Sequence, residues 1–199
     1  KIISDNLLSN YIKSIKPRKT KVICGGSIYD KAMPEKNKML RWKYGNVMES
    51  QSAEIRNRTP NNSFMTNNVL INRHVFDEIK FDERISEYGH EDTLFGFQLK
   101  KKGIQVLHIE NPVLNNDIDE NGVFLEKTEK SILNLITIAE YTGFDKDFVR
   151  DVAILNFYKK LNSAGLTGVI AFLYSGIQPF LNRLLVKGYV NLRVFNFYK

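Results

Sequence analysis

The spacing of apolar residues changes character near residue 112, and that change limits the fold more than any other feature of the chain. Upstream, short apolar runs at 21–24, 64–71 and 104–109 have the length of buried strands, and segments with helical spacing lie between them. Downstream the spacing is helical throughout, over 123–141, 146–161, 165–175 and 179–187, with breaks expected at Gly143, Gly165 and Gly176. A chain that alternates strand and helix and then turns wholly helical predicts an α/β domain with a mixed sheet, followed by a helical C-terminal extension. The boundary is expected between 121 and 122. Of the 199 residues, 43% are hydrophobic, enough to build a core.

Local signals refine this outline. A first helix is expected over 5–15, capped by Asp5, with Leu7, Leu8, Tyr11, Ile12 and Ile15 on one face. A basic turn around Pro17 follows at 16–20. The stretch 27–38 reads as a polar loop, 39–55 as a helix bearing Trp42 and Tyr44, and 57–62 as a loop. A short helix is expected at 73–79 and another at 91–101, stopped by Gly103. The strand at 104–109 ends at Asn111-Pro112, and 113–121 reads as a polar loop.

Charge and cysteine content restrict the partners and the compartment. The formal net charge of +7 suits an anionic partner such as a phosphate-bearing substrate or a membrane surface, and equally a well-solvated basic surface. Lys100, Lys101 and Lys102 end a helix, where cations complement its dipole, so they are not read as a nucleic-acid patch. The single cysteine, Cys24, lies in an apolar run and is expected to be a buried small hydrophobe. With no intrachain disulfide available, the composition fits the reducing cytoplasm. The longest apolar region, 166–185, is interrupted by Gly168, Gly176, Gln178, Pro179 and Arg183. It reads as helices that pack on the domain or lie peripherally at the inner face of a membrane. The sequence opens on Lys1, with no signal-peptide pattern after it, and is expected to be a portion of a longer protein.

The segment carrying chemistry is Tyr88-Gly89-His90-Glu91-Asp92, directly before the helix at 91–101. Gly89 permits a tight turn and close approach of a ligand. Glu91 and Asp92 fall in the first helical turn, where the helix dipole favours their charged forms. An ionised carboxylate there can serve as a general base, and its neighbour can hold a substrate hydroxyl. Capping chemistry alone accounts for the same pair.

The ordered set that surrounds this pair narrows the choice. Phe64 to Ile71, then Phe81-Asp82-Glu83, then Tyr88 to Asp92, then Leu94-Phe95-Gly96, resembles the C-terminal half of family 2 glycosyltransferases of the GT-A type. His108-Ile109-Glu110-Asn111-Pro112-Val113, Gly25-Gly26, 40–45 and 194–199 are similar to a bacterial branch of that family. The resemblance spans nearly the whole chain and is densest over 64–113. It implies the C-terminal, acceptor-side half of a Rossmann-like GT-A domain with a mixed sheet. It also implies an inverting transfer of sugar from a nucleotide-sugar donor to a saccharide or lipid-linked acceptor.

By the same resemblance Asp92 is the base that deprotonates the acceptor hydroxyl, and Glu91 and His90 line the acceptor or diphosphate region with Tyr88 and Gly89. His90 also reads as an exposed loop histidine. Asn67 and Asn68 would lie near the donor sugar, or be strand-end asparagines that bond the backbone. Arg41 and Trp42 would touch acceptor or phosphate, although Trp42 reads better as an ordinary core or lid aromatic.

The family binds Mg²⁺ or Mn²⁺ through an upstream D-x-D motif that this chain does not carry near its start; residues 2–5 resemble the stretch that follows it. Relatives often place a histidine where Asn115 stands. His108 is the one histidine nearby and reads better as a satisfied buried side chain than as a metal ligand. Asp117-Ile118-Asp119 has the D-x-D spacing but lies in a late loop. Strand edges left open by a missing half would favour a homodimer. The alternative reading is a non-catalytic basic module that binds an anionic membrane or polyanion.

Overall fold

The computed structural model describes residues 1–16, 21–81, 85 and 88–199. The basic turn expected around Pro17 and the acidic phrase Asp82-Glu83 lie outside the described residues. The chain is mixed α/β and divides into two compact units. The first comprises Lys1–Pro34, Arg41–Ser86 and His90–Ile118; the second comprises Glu35–Leu40, Glu87–Gly89 and Asp119–Lys199.

Among its described residues the first unit is built on five strands of three residues each. β1 (Val22–Cys24) lies between β3 (Val69–Ile71), antiparallel, and β4 (Val106–His108), parallel. β2 (Ser27–Tyr29) pairs in parallel with β5 (Val113–Asn115). Ile109 N donates to Cys24 O, Asn111 N to Gly25 O and Val113 N to Gly26 O, so the β1–β4 pairing runs on into β2–β5 through an irregular step at Gly25-Gly26. β2 and β5 fall inside stretches expected to be polar loops. Their polar composition hides strands that exist because this long-range pairing continues past the step.

α1 (Leu7–Ser14) starts two residues later than expected, with Asn6 rather than Asp5 at its cap position. Of its predicted apolar face only Tyr11 is buried, while Leu8, Ile12 and Ile15 are exposed. The expected strand over 64–71 is a 3₁₀ turn at Thr66–Asn68 leading into β3, because Asn68 is drawn inward to bond other backbone. The expected helix over 39–55 is α2 (Met39–Tyr44), a π segment at Gly45–Glu49, and then α3 (Ala53–Arg56). Gly45 lies against the Tyr29 ring, where an added Cβ would stand 2.6 Å from ring carbon, and the π turn closes through Ser50 N to Gly45 O. α4 (Arg73–Glu78) and α5 (Glu91–Lys101) form where the sequence puts them, and Gly103 adopts φ 68° after α5. The core between sheet and helices gathers Val22, Cys24, Phe64, Val75, Phe95 and Leu99, and Phe64 and Phe95 stack at 5.0 Å.

The second unit is helical: α6 (Asn121–Tyr141), α7 (Lys146–Asp151), α8 (Ala153–Ser163), α9 (Thr167–Val186) and α10 (Leu192–Tyr198). The expected helix at 146–161 breaks at Val152, whose ψ of 109° is extended. The two helices expected at 165–175 and 179–187 are one. Pro179 lies inside α9 and Gly176 does not end it. Tyr174, before the proline, donates its hydroxyl to Tyr198 O, and Asn182, after it, donates to the Tyr198 hydroxyl. Those anchors on either side hold the axis continuous against the roughly 3 kcal/mol that an interior proline costs. α9 is long and apolar enough to cross a membrane, yet only 6% of its apolar window is buried. Phe124 of α6 stacks on Phe195 of α10 at 5.2 Å. Asn121, 1% exposed, accepts from Leu40 N and donates to Lys36 O and Val186 O, tying both ends of the unit to the segment 35–40.

Candidate active site

The start of α5 is built from an unusual backbone. Gly89 has φ 92° and His90 has φ 68°, two successive left-handed residues before the first helical turn. For histidine that conformation costs roughly 1 kcal/mol, and such strain persists where surrounding structure enforces it. The turn aims Asp92 inward and leaves Glu91 on the exposed side. His90 Nδ1 stands 3.2 Å from the Thr93 hydroxyl.

Asp92 is held by one oxygen. Its Oδ2 accepts from Thr66 N at 3.2 Å. Its Oδ1 is buried and has no hydrogen-bond partner among the described residues. Burial pushes the Asp92 carboxyl above its ordinary range; the Thr66 side-chain and backbone bonds work against that, and the charge of Glu91 adds to it. Desolvation thus acts against the helix start, which favours the charged form, and the net movement of the Asp92 carboxyl is upward. A carboxylate with one free, desolvated oxygen and a raised proton affinity is a better general base than an exposed one.

The remaining candidates separate into two groups. Asn67 is exposed beside Thr66. Asn68 is buried and committed: its Nδ2 donates to Gly26 O and Asn111 O, both at 2.8 Å, and the Tyr11 hydroxyl lies 2.7 Å from its Oδ1. That is the strand-end alternative, a side chain completing backbone hydrogen bonds. Tyr88 is exposed, and the Lys127 ammonium lies over its ring at 5.6 Å. Arg41 donates from both terminal nitrogens to Glu49, at 3.1 and 3.0 Å, and to the Tyr29 hydroxyl. Its guanidinium therefore completes a polar cluster in which Asn115 donates to the same Tyr29 hydroxyl at 2.9 Å. Trp42 is half-buried, and its indole N–H donates to Asp30 O at 2.7 Å, pinning the loop after β2.

His108 is 3% exposed. Its Nδ1 faces Arg56 at 2.9 Å and its Nε2 faces Pro60 O at 2.8 Å, so the neutral tautomer with Nε2–H satisfies both. Burial and the Arg56 charge push its pKa down. Among the described residues no three His, Cys, Asp or Glu side chains converge, and Asp119 pairs with Lys127 at 2.8 Å. No ligand set for the divalent cation that the resemblance implies is formed among the described residues.

Sequence reasoning did not single out Arg56. It is 2% exposed and donates to the carbonyls of Gln51, Cys24, Gly25 and Ile109. At Gly26, φ 84°, an added Cβ would lie 2.6 Å from this guanidinium. A lone arginine at the end of a short helix carries no sequence signal for such a role; the Gly25-Gly26 pair it fills is the one visible trace. Compared with protein-family models, with curated proteins and with solved structures, the chain matches none.

Proposed function

We propose that this chain is the acceptor-side half of an inverting glycosyltransferase that uses a nucleotide-sugar donor, in a GT-A domain whose donor-binding half lies upstream. The reading rests on the motif set of residues 64–113, and the observation that supports it is Asp92, one oxygen fixed by Thr66 and the other buried without a partner. In this reading Oδ1 takes the proton of the acceptor hydroxyl. The hydroxyl oxygen attacks the anomeric carbon from the face opposite the nucleotide, and the bond from that carbon to the diphosphate oxygen breaks. The nucleoside diphosphate leaves with the bonding pair and the configuration inverts. Glu91 and Asn67, exposed and next in sequence to Asp92 and Thr66, are the side chains that would orient hydroxyl groups.

The test is transfer by the protein that includes the upstream half, with Asp92→Asn as the variant. Wild type is expected to transfer sugar, and the variant to lose about 10²-fold or more of the rate while keeping its fold. Normal turnover by Asp92→Asn would remove Asp92 as the base. Absence of transfer from every nucleotide sugar tried would remove the reading. Calorimetry of this chain with UDP and Mn²⁺ is expected to give no binding; clear binding would locate the donor site within these residues.

A further inference from the structure

The last 48 residues concentrate the charge of the molecule. Residues 152–199 contain Lys159, Lys160, Arg183, Lys187, Arg193 and Lys199 and no Asp or Glu. They carry +6 of the net +7, leaving the first 151 residues near neutrality. The same stretch carries the most exposed apolar surface of the helical unit. On α9, Val169, Phe172, Leu173, Ile177 and Phe180 are between 41% and 79% exposed and recur at helical spacing along one side. That ridge ends, toward the C-terminus of the helix, in exposed Arg183 and Lys187. On α8, exposed Phe157 and Tyr158 adjoin exposed Lys159 and Lys160.

We propose that this ridge of α9, with the adjoining end of α8, docks the helical unit on the surface of an anionic lipid bilayer. Apolar and aromatic side chains flanked by cations, on a stretch 152–199 that itself has no Asp or Glu, match the boundary between acyl chains and negatively charged headgroups. A second copy of this chain would bring six more cations against six, so charge favours the lipid surface as occupant. The helix lies along the surface rather than across it. Its 20 residues reach about 30 Å, which is enough to span. However, its opposite face packs on α6, α8 and α10, Leu185 is fully buried, and Tyr174 and Asn182 bond Tyr198. Spanning would strip those contacts away. The inference stands independently of sugar transfer.

The experiment is sedimentation of the full chain with vesicles of phosphatidylcholine alone and of phosphatidylcholine mixed with phosphatidylglycerol. Binding to the mixed vesicles at low salt, released by high salt, is expected, with little binding to the neutral ones. Phe172→Glu with Phe180→Glu should lower partitioning about tenfold or more. Arg183→Glu with Lys187→Glu should lower it on mixed vesicles only. All four positions are exposed, so circular dichroism of each variant should match wild type. No binding to anionic vesicles, or equal binding to neutral ones, would overturn the proposal. So would resistance to alkaline extraction, which marks a spanning helix, or a lipid-independent dimer abolished by Phe172→Glu, which would give the ridge to a second copy.

Discussion

The two units solve the problem of backbone hydrogen bonding in opposite ways. In the sheet unit each strand has three residues, so the ladders are short and side chains finish what they leave open. Arg56 serves four carbonyls, Asn68 two, and Asn57 brackets His108 by donating to its carbonyl and accepting from its amide. In the helical unit the backbone is satisfied within each helix, and side chains pack through Leu125, Leu135, Ile138, Leu185 and Phe195. Polar groups there cap helix ends, as Asp145 does for α7 and Asn191 for α10, and join helices, as Tyr174 and Asn182 join α9 to Tyr198. A unit whose polar side chains are fixed by backbone can hold one carboxylate at a defined place. A unit whose helices need only apolar contact can leave a whole face exposed.

The contrast is broken most severely at Arg56. Arg56→Leu keeps much of the volume and leaves four carbonyls without their donor, and about 4 kcal/mol of stability is expected to be lost. Native-state hydrogen exchange should show the loss first in β1 and β4. A midpoint unchanged in denaturant would mean that water replaces the guanidinium. In the helical unit the equivalent loss comes from a methyl-rich side chain: Leu135→Ala, at 1% exposure, should cost about 3 kcal/mol. Phe172→Glu, 79% exposed, should change stability by less than about 0.5 kcal/mol. If the two changes cost the same in denaturant melts, the ridge of α9 is covered in solution.

These effects also mark what the sequence could convey. α5 with its glycine stop, the buried Cys24 and the long α6 follow from periodicity and termination signals that act within a few residues. β2, β5 and the roles of Arg56, Tyr11 and Asn111 depend on partners some 30 to 100 positions away, which no local pattern encodes. At the candidate site the position of Asp92 was legible. Its proton affinity was not, because burial is a property of the packed state. The continuity of α9 through Pro179 was hidden for the same reason, its anchors lying on α10.

Asp92→Asn sharpens the comparison from the other side, since it should stabilise. The amide needs no charge desolvation and can still accept from Thr66 N. A gain of about 1 kcal/mol at neutral pH is expected, read as a rise in Tm of about 2–4 °C. A fall in Tm would mean that Oδ1 is solvated and that its raised proton affinity is not a cost to the fold.

The smallest expected effect is a pH dependence with two opposing slopes, both from the sheet unit. The folded pKa of Asp92 is raised above its ordinary value of 3.8. As pH climbs from there the unfolded chain releases this proton before the folded one does, and stability falls through the window up to the folded pKa. The folded pKa of His108 is lowered below its ordinary value of 6.5. As pH drops below that value the unfolded chain takes up a proton that the folded protein refuses, so the His108 contribution is present above it and is lost on acidification. Asp92→Asn should remove the first slope and leave the second. His108→Gln, whose amide can accept from Arg56 and donate to Pro60 O, should remove the second and leave the first. Each change is expected to be no more than about 1 kcal/mol between about pH 4.5 and about pH 7.5, measured by denaturant melts. A Leu135→Ala control in the helical unit should shift the whole curve without altering either slope, because the slopes arise at Asp92 and His108, which that change leaves in place. If instead the slopes persist in both site variants, the pH dependence belongs to other groups, and the polar interior of the sheet unit is more open to water than its buried carboxylate and imidazole require.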